Sequence, residues 1–134
     1  KIDPQVLVNA RLAPDMLPLA GQVQRMSDTA KGAAARLTGT EAPSFADDET
    51  TLADLRARIE KTTAYLASVP EAAFEGAAER TVVLKTRGGE TSSSGKEYLL
   101  TFVLPNFYFH LTTAYAILRH NGVAVGKLDF LGRT

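Results

Sequence analysis

Three long segments of the chain place apolar side chains at alternating steps of three and four residues, the spacing that keeps one face of an α-helix apolar. This pattern constrains the fold of the 134-residue sequence more than any other feature. It is clearest in residues 16–39, where Gly39 follows as a helix stop. The apolar positions of this first segment are Leu19, Val23, Met26, Ala30, Ala33 and Leu37.

The second segment, residues 51–69, predicts an ordinary amphipathic helix. Its apolar face consists of Leu52, Leu55, Ile59, Thr62 and Leu66. Its charged residues are spaced for two i,i+4 ion pairs, Asp54 with Arg58 and Arg56 with Glu60. We expect these charges to form a solvated face. Just ahead of the helix, the acidic run at residues 47–49 is expected to complement the helix dipole.

Between the second and third segments the pattern changes. Pro70 ends the second helix, and residues 71–79 can form a short helical turn. The β-branched pair Val82 and Val83, followed by Gly88 and Gly89, then predicts a small β-hairpin or ordered loop. The polar run from Thr91 to Gly95 is expected to be its mobile part.

The third segment, from about Lys96 to Asn121, is again helical, and Gly122 supplies its stop. Pro105 lies inside it and removes a backbone donor, so we expect a kink or a helix start near that point. One side of this helix carries Val103, Phe107, His110, Ala114 and Ile117 or Leu118.

The composition excludes several classes of protein. Fifteen Lys and Arg residues balance fifteen Asp and Glu residues, so the basic surface of a nucleic-acid-binding protein is missing. The sequence has no Cys, which excludes disulfides and thiolate ligands and makes a reducing cytoplasm the expected location. No apolar run approaches the roughly 18 residues of a membrane span, so we expect a soluble protein with no membrane partner. The length suits one domain, residues 1–134.

His110 is open to two interpretations, because it lies within the apolar stripe of the third segment. It is either a core histidine that is hydrogen-bonded to Asn106 or Thr113 on its own helix, or a metal ligand or base whose ring nitrogen faces a cavity. A divalent metal in a helical bundle usually needs three protein ligands, often two of them at i,i+4. The residues four before and four after His110 are Asn106 and Ala114. Further ligands would have to come from Gln22, Gln24 and Asp28 of the first segment.

Two blocks of sequence resemble a known family. They read RLAPDMLPLAGQVQRMSDTAKGAAARL and PNFYFHLTTAYAILRHNGVAVGKLDFLG, and they are similar to the bacterial family called domain of unknown function 1993 (DUF1993), which is grouped with the DinB/YfiT-like helical bundles. The likeness covers Ile2 to Gly132. It implies an all-α fold, an up-down-down-up bundle of four helices, whose first helix would lie largely upstream of Lys1. Superfamily members often dimerise through helix faces, which implies a homodimer.

The resemblance also bears on the site. Enzymes of the wider superfamily, among them metal-dependent thiol transferases, hold a metal with one histidine from the second helix and an HxxxH pair from the last. Here that pair reads Asn106-x-x-x-His110, and the second helix has no histidine. We therefore expect no metal cofactor. In its place we expect a small polar cavity lined by Gln22, Gln24, Asp28, Asn106 and His110.

The functional hypothesis is a cytoplasmic, bacterial, DinB-like protein that binds a small ligand at a vestigial, metal-free site or has a structural role, as a homodimer. The alternative is a metal-dependent enzyme of the DinB or thiol-transferase type, with Zn, Ni or Fe at His110. Asn106, Gln24 or Asp28 would then complete the ligand shell. Whether the chain is an enzyme stays open at this point, as do any substrate and reaction.

Overall fold

The computed structural model describes residues 2–133 and is mainly helical. The helices, in chain order, are α1 (Pro4–Asn9), α2 (Leu19–Thr38), α3 (Leu52–Ser68), α4 (Gly95–Tyr98), α5 (Leu104–His120) and α6 (Lys127–Phe130). A 3₁₀ turn (Glu71–Phe74) follows α3, and a π turn (Leu99–Val103) joins α4 to α5. The strands β1 (Thr81–Thr86) and β2 (Gly89–Ser94) form a hairpin ahead of the last long helix. Within residues 2–133, no helix is both long enough and apolar enough to cross a bilayer.

The ends of the long helices follow from local sequence. Gly39 has φ 70° and donates its backbone N–H to the carbonyls of Ala35 and Arg36, so it ends α2 in the left-handed conformation that glycine adopts readily. At the start of α3, the Thr51 side chain accepts from the backbone N–H of Asp54, and the Asp54 carboxylate accepts from the backbone N–H of Thr51. This capping box fixes the first turn of α3. The predicted helix over residues 16–39 and the predicted helix before Pro70 are therefore confirmed.

The π turn resolves the expectation about Pro105. The backbone N–H of Leu104 donates to the carbonyl of Leu99, five residues earlier, and α5 starts at Leu104. Pro105 then occupies the first turn of α5, where the N–H that it lacks is not needed. The helical backbone runs without a break from Gly95 to His120, so the chain accommodates Pro105 with one wide turn and not with a new helix start.

The hairpin is an antiparallel pair in which Thr81 lies opposite Ser94 and Thr86 opposite Gly89. Val82 is its buried anchor and packs in a small apolar cluster with Tyr98 and Leu37. The polar run that we expected to be mobile is part of the ladder, since Thr91 to Ser94 belong to β2. Residue 95 begins α4. The predicted hairpin is confirmed.

The main core forms around α2, which packs against α5 on one side and α3 on the other. Its buried residues come from every helix at that end of the bundle and are Leu7, Val8, Leu19, Val23, Met26, Leu55, Ala114 and Ile117. The arrangement buries one side of α2 against each neighbour, so α2 positions the polar side chains that face α3 and those that face α5.

An open apolar groove runs between α3 and α5, with α2 as its floor. Two adjoining cavities of about 270 Å³ and about 630 Å³ follow it, and both include Val23, Met26, Ile59 and Leu111. On the α3 side, Leu52, Ile59 and Leu66 are 38%, 46% and 39% exposed, although all three belong to the predicted apolar face. The described residues thus provide three long helical segments of the predicted four-helix bundle. Its first helix, expected ahead of Lys1, lies outside the described residues.

Gly95 is expected to tolerate no side chain. A Cβ atom there would overlap the backbone carbonyl oxygen of Ala77, because the backbone N–H groups of residues 95 and 96 bind the carbonyls of Arg80 and Ala78. The Gly95→Ala variant should lose about 2–3 kcal/mol of unfolding free energy, as overpacked sites do. Urea denaturation measures this. Gly88→Ala is the control, since its Cβ would meet only the Thr86 hydroxyl at 3.8 Å. Equal stability of the two variants would contradict the close approach.

Candidate functional site

His110 projects from α5 toward α2 and forms a hydrogen bond with Gln22. The distance from His110 Nδ1 to Gln22 Oε1 is 2.7 Å. Gln22 is only 1% exposed, and its Nε2 donates to the carbonyl of Leu17 at 3.1 Å. The Gln22 oxygen must therefore be the acceptor, and His110 Nδ1 carries the proton. In the neutral ring this leaves His110 Nε2 with a lone pair.

The Nε2 atom of His110 is open to solvent. Within residues 2–133 it has no hydrogen-bond partner, whereas every fully buried side-chain nitrogen or oxygen has one. Burial lowers the pKa of His110 below its ordinary value, and the positive charge of Arg25 lowers it further. The imidazole is consequently neutral at neutral pH, with a fixed tautomer and an accessible acceptor atom.

Asn106 supplies a second acceptor one helical turn before His110. Its Nδ2 donates to the Thr29 hydroxyl at 2.9 Å, and that hydroxyl donates to the carbonyl of Arg25 at 2.8 Å. Asn106 Oδ1 receives no hydrogen bond within the described range, so it is available beside the His110 ring. Phe109 packs edge-on against that ring, with 5.2 Å between centroids, and is 54% exposed.

The partners of His110 differ from those expected on its own helix. Asn106 and Thr113 were the predicted partners, but the structure uses Gln22 of α2 for His110 and Thr29 of α2 for Asn106. The spacing of residues along α5 shows only which side chains share one face of that helix. The partners depend on the register between α5 and α2, which this spacing does not determine.

The five residues expected around one polar cavity lie on two sides of α2. Gln22 meets His110, whereas Gln24 Nε2 donates to Glu49 Oε1 at 2.9 Å and Asp28 Oδ1 accepts from Arg58 at 2.8 Å. Gln24 and Asp28 lie two and six residues after Gln22. Because each residue turns an α-helix by about 100°, their side chains point away from α5. None of the three cavities described in residues 2–133 is lined by Asn106 or His110. The structure thus brings Gln22, Asn106 and His110 together at a partly open α2–α5 seam, and it separates Gln24 and Asp28 from them.

Arg58 is the polar centre on the α3 side of α2. Its side chain is 0% exposed, and its guanidinium binds three carboxylates. Nη2 lies 2.8 Å from Asp28, and Nη1 lies 2.9 Å from Asp47 and 3.2 Å from Glu49. The expectation that Arg58 belongs to a solvated face is wrong. Asp47 and Glu49, which we expected to complement the helix dipole, bind the Arg58 guanidinium. Only the Arg56–Glu60 pair is exposed as predicted, at 3.1 Å.

The polar groups around Arg58 form hydrogen bonds with one another. Its Nε donates to the Ser27 hydroxyl at 2.8 Å, and the Thr62 hydroxyl donates to the Arg58 carbonyl at 2.8 Å. The Ser27 hydroxyl therefore donates to Thr62 across their 2.7 Å contact. Burial acts to lower the pKa of Arg58, but the hydrogen bonds that it donates to Asp47 and Glu49, with the negative charges of Glu49 and Asp28, outweigh this and raise it. The guanidinium stays charged, and each of its three nitrogens donates to a partner.

A tightly held metal does not fit the donor set at His110. Within residues 2–133, no three His, Cys, Asp or Glu side chains are grouped closely enough to hold an ion. The α2–α5 seam offers one imidazole nitrogen and one amide oxygen, while the oxygen of Gln22 is occupied by His110. Gln24 and Asp28, which the metal alternative requires, are bound to Glu49 and Arg58. Three protein ligands would be needed for zinc.

Removing Arg58 should strongly destabilise the fold. Arg58→Met leaves three carboxylates without their cation, one of them the 6% exposed Glu49, so we expect a loss of about 3 kcal/mol of unfolding free energy. Arg56→Met is the matched control on the same helix and should change stability by less than about 0.5 kcal/mol. Chemical denaturation compares the two variants. A similar small loss in both would show that the buried pairs contribute little.

His110 should make stability depend on pH. Because its pKa is lower in the folded than in the unfolded chain, the unfolded chain binds more protons as pH falls below about 6.5, the ordinary value. Unfolding free energy should therefore decrease as pH is lowered through the range just below this value. The His110→Asn variant should lose that part of the slope. Since His120 remains in both proteins, an unchanged slope would contradict the assignment to His110.

Comparison with known proteins places this geometry in a family. The model of the family described as "Domain of unknown function (DUF1993)" matches residues 1–131. A solved structure of a DinB family member protein from Shewanella denitrificans is 48% identical and superposes with a TM-score of 0.91. That match covers 98% of this chain and 75% of the other. No curated protein matches. With nearly all of its length matched by the family model, the chain belongs to the DUF1993 family and has the DinB-like fold.

Proposed function

We propose that this chain is a metal-free, small-ligand-binding helical-bundle protein that acts as a homodimer in the bacterial cytoplasm. The observation that carries the proposal is the state of His110. Its Nδ1–H is held by Gln22 at 2.7 Å while its Nε2 is open to solvent. A core histidine with both nitrogens bonded would have no such free atom.

The chemistry of the seam favours a ligand that donates hydrogen bonds. His110 Nε2 and Asn106 Oδ1 are both acceptors on the same face of α5, four residues apart. The edge-on ring of Phe109 offers an apolar surface beside them. Because Gln22 and Thr29 orient the two acceptors, little side-chain entropy is lost when a ligand binds.

The alternative is a metal-dependent enzyme that uses His110. It has one supporting feature, since a metal-bound histidine typically donates its other ring N–H to an oxygen, as His110 does to Gln22. The remaining donors do not support it, because Gln24 and Asp28 are bound elsewhere. Elemental analysis of untagged protein decides between the two, and stoichiometric metal that is lost in His110→Ala would favour the alternative.

Two substitutions separate ligand binding from packing. In His110→Asn the amide nitrogen takes the place of Nδ1, so the bond to Gln22 is kept while the Nε2 acceptor is removed. We expect this variant to be close to wild type in stability but to bind no ligand. His110→Ala also leaves the buried Gln22 oxygen unpaired and should lose about 1–3 kcal/mol of unfolding free energy.

The binding measurement is a fragment screen by NMR with the ¹⁵N signal of His110 Nε2 as reporter. Fragments with N–H or O–H donors should shift this signal in wild type, and should leave the backbone spectrum of His110→Asn unchanged. If no fragment shifts it, or if both proteins respond alike, ligand binding at His110 is excluded.

Self-association is the second part of the proposal. The outward side of the last helical segment carries Leu100, Leu104 and Tyr108, which are 52%, 40% and 52% exposed and four residues apart. Such a row can pack against its own copy about a twofold axis. We expect a dimer in sedimentation velocity and a monomer for Tyr108→Lys. Leu128→Lys, equally exposed but on α6, should remain dimeric. A monomeric wild type would refute the dimer.

A further inference from the structure

We infer that the His110 seam recognises a small carboxylate that carries a hydroxyl or amino group next to the carboxylate. The inference rests on the ligand-binding function proposed above and names the class of ligand. It combines Arg25, a cation whose guanidinium donates no hydrogen bond within residues 2–133, with the two acceptors already described. Together they form a polar surface. Arg25 requires a negatively charged group from a ligand, and the two acceptors require a hydrogen-bond donor.

Arg25 is the cation of the seam. It lies three residues after Gln22 and four before Thr29, so it shares the side of α2 that carries the partners of His110 and Asn106. Burial is the main cause of the lowered pKa of His110, and the positive charge of Arg25 is the second. Its closest carboxylate oxygen, Asp28 Oδ2, is 3.7 Å away, and the other oxygen of that carboxylate is bound by Arg58.

The guanidinium of Arg25 is therefore available to a ligand. Its side chain is 53% exposed, and within residues 2–133 none of its N–H groups donates at hydrogen-bond distance. Asp28 cannot turn fully toward it, because Arg58 and Lys31 hold Asp28 Oδ1 at 2.8 Å and 3.5 Å. An exposed guanidinium with free donors favours a planar carboxylate, which it can bind with two parallel hydrogen bonds.

The two acceptors set the second requirement. His110 Nε2 and Asn106 Oδ1 have lone pairs and no proton to give, so an anion made only of acceptor oxygens would meet them unfavourably. Sulfate, which carries no proton at neutral pH, is disfavoured for this reason. A hydroxyl or amino group one carbon from the carboxylate supplies the missing donor while the carboxylate remains on Arg25. Phe109 then packs against the carbon skeleton.

The test uses three probes on the 134-residue chain: glycolate, acetate and sulfate. Glycolate has both the carboxylate and the donor, acetate lacks the donor, and sulfate lacks both the donor and the planar carboxylate. Each is titrated while the ¹⁵N signal of His110 Nε2 and the amide signals of α2 are recorded. We expect glycolate to bind about threefold to tenfold more tightly than acetate, the effect of one hydrogen bond, and sulfate to cause no saturable shift.

Two arginine variants complete the test. Arg25→Gln should weaken glycolate binding about tenfold through the loss of a charge-assisted pair. Arg56→Gln, which also removes an exposed arginine from a surface ion pair, should bind as wild type does. Equal affinity for glycolate and acetate, or equal loss in the two variants, would overturn the ligand class.

The outcomes also distinguish this inference from the function on which it rests. If other donor-bearing fragments shift His110 Nε2 but glycolate does not, ligand binding stands and the carboxylate class is wrong. If neither glycolate nor any fragment shifts it, both fail. If sulfate binds as well as glycolate and Arg25→Gln weakens both, the seam is a general anion site and the donor requirement is wrong.

Discussion

The buried guanidinium of Arg58 is the interaction on which the arrangement of α2, α3 and their connecting loop depends. A charge with no solvent contact is costly unless each of its donors has a partner. Here the partners are three carboxylates from two places: Asp28 on α2, and Asp47 and Glu49 in the loop that precedes α3. The ring of Phe45 lies 5.5 Å from the same group. Any shift of α3 along α2 would break several of these bonds together.

This constraint extends to the His110 seam through α2. Since α2 is a single 20-residue helix, holding one of its sides against α3 also fixes the side that faces α5. Gln22 and Thr29 are presented to α5 at a spacing of seven residues, two turns of helix. His110 and Asn106 meet them at a spacing of four. The Arg58 cluster therefore positions the seam, although Gln22, Thr29, Asn106 and His110 are not part of that cluster. The connection between the two is the single helix α2.

Periodicity predicted most of the fold. The apolar steps in residues 16–39 and 51–69 predicted the two helices, and Gly39 and Pro70 predicted their ends. The turn predicted at Gly88–Gly89 lies one residue earlier, at residues 87 and 88, because Gly89 already pairs with Thr86 in the hairpin. These are local effects that depend on a few neighbouring residues. At Pro105 the sequence predicted only a kink or a helix start, and not a π turn. A sequence shows where a backbone donor is missing, but it does not show how the backbone accommodates the loss.

The sequence predicted part of the site, because it identifies polar residues near apolar stripes but not the helix that each of them faces. His110, Gln22 and Asn106 were singled out as polar residues near apolar stripes, and the structure joins them in pairs across α2 and α5. Gln24 and Asp28 were grouped with them because a sequence gives no view of which neighbour each side of α2 faces. Arg58 was missed altogether: at i+4 from Asp54 it resembled a surface ion pair. The acidic run at residues 47–49 was the available signal for a buried cation nearby.

The wide turn at Leu99–Val103 has a consequence for how the last helical segment can change. Each α-helical residue adds about 100° of rotation, so an extra residue in one turn offsets the phase of α5 against that of α4. Tyr98 can then face the hairpin cluster while His110 faces Gln22. The two ends of the segment are thereby set at separate angles. Loss of a single residue from this turn would rotate His110 by about a quarter of a circle and turn the seam toward solvent, with no change in any residue that forms it.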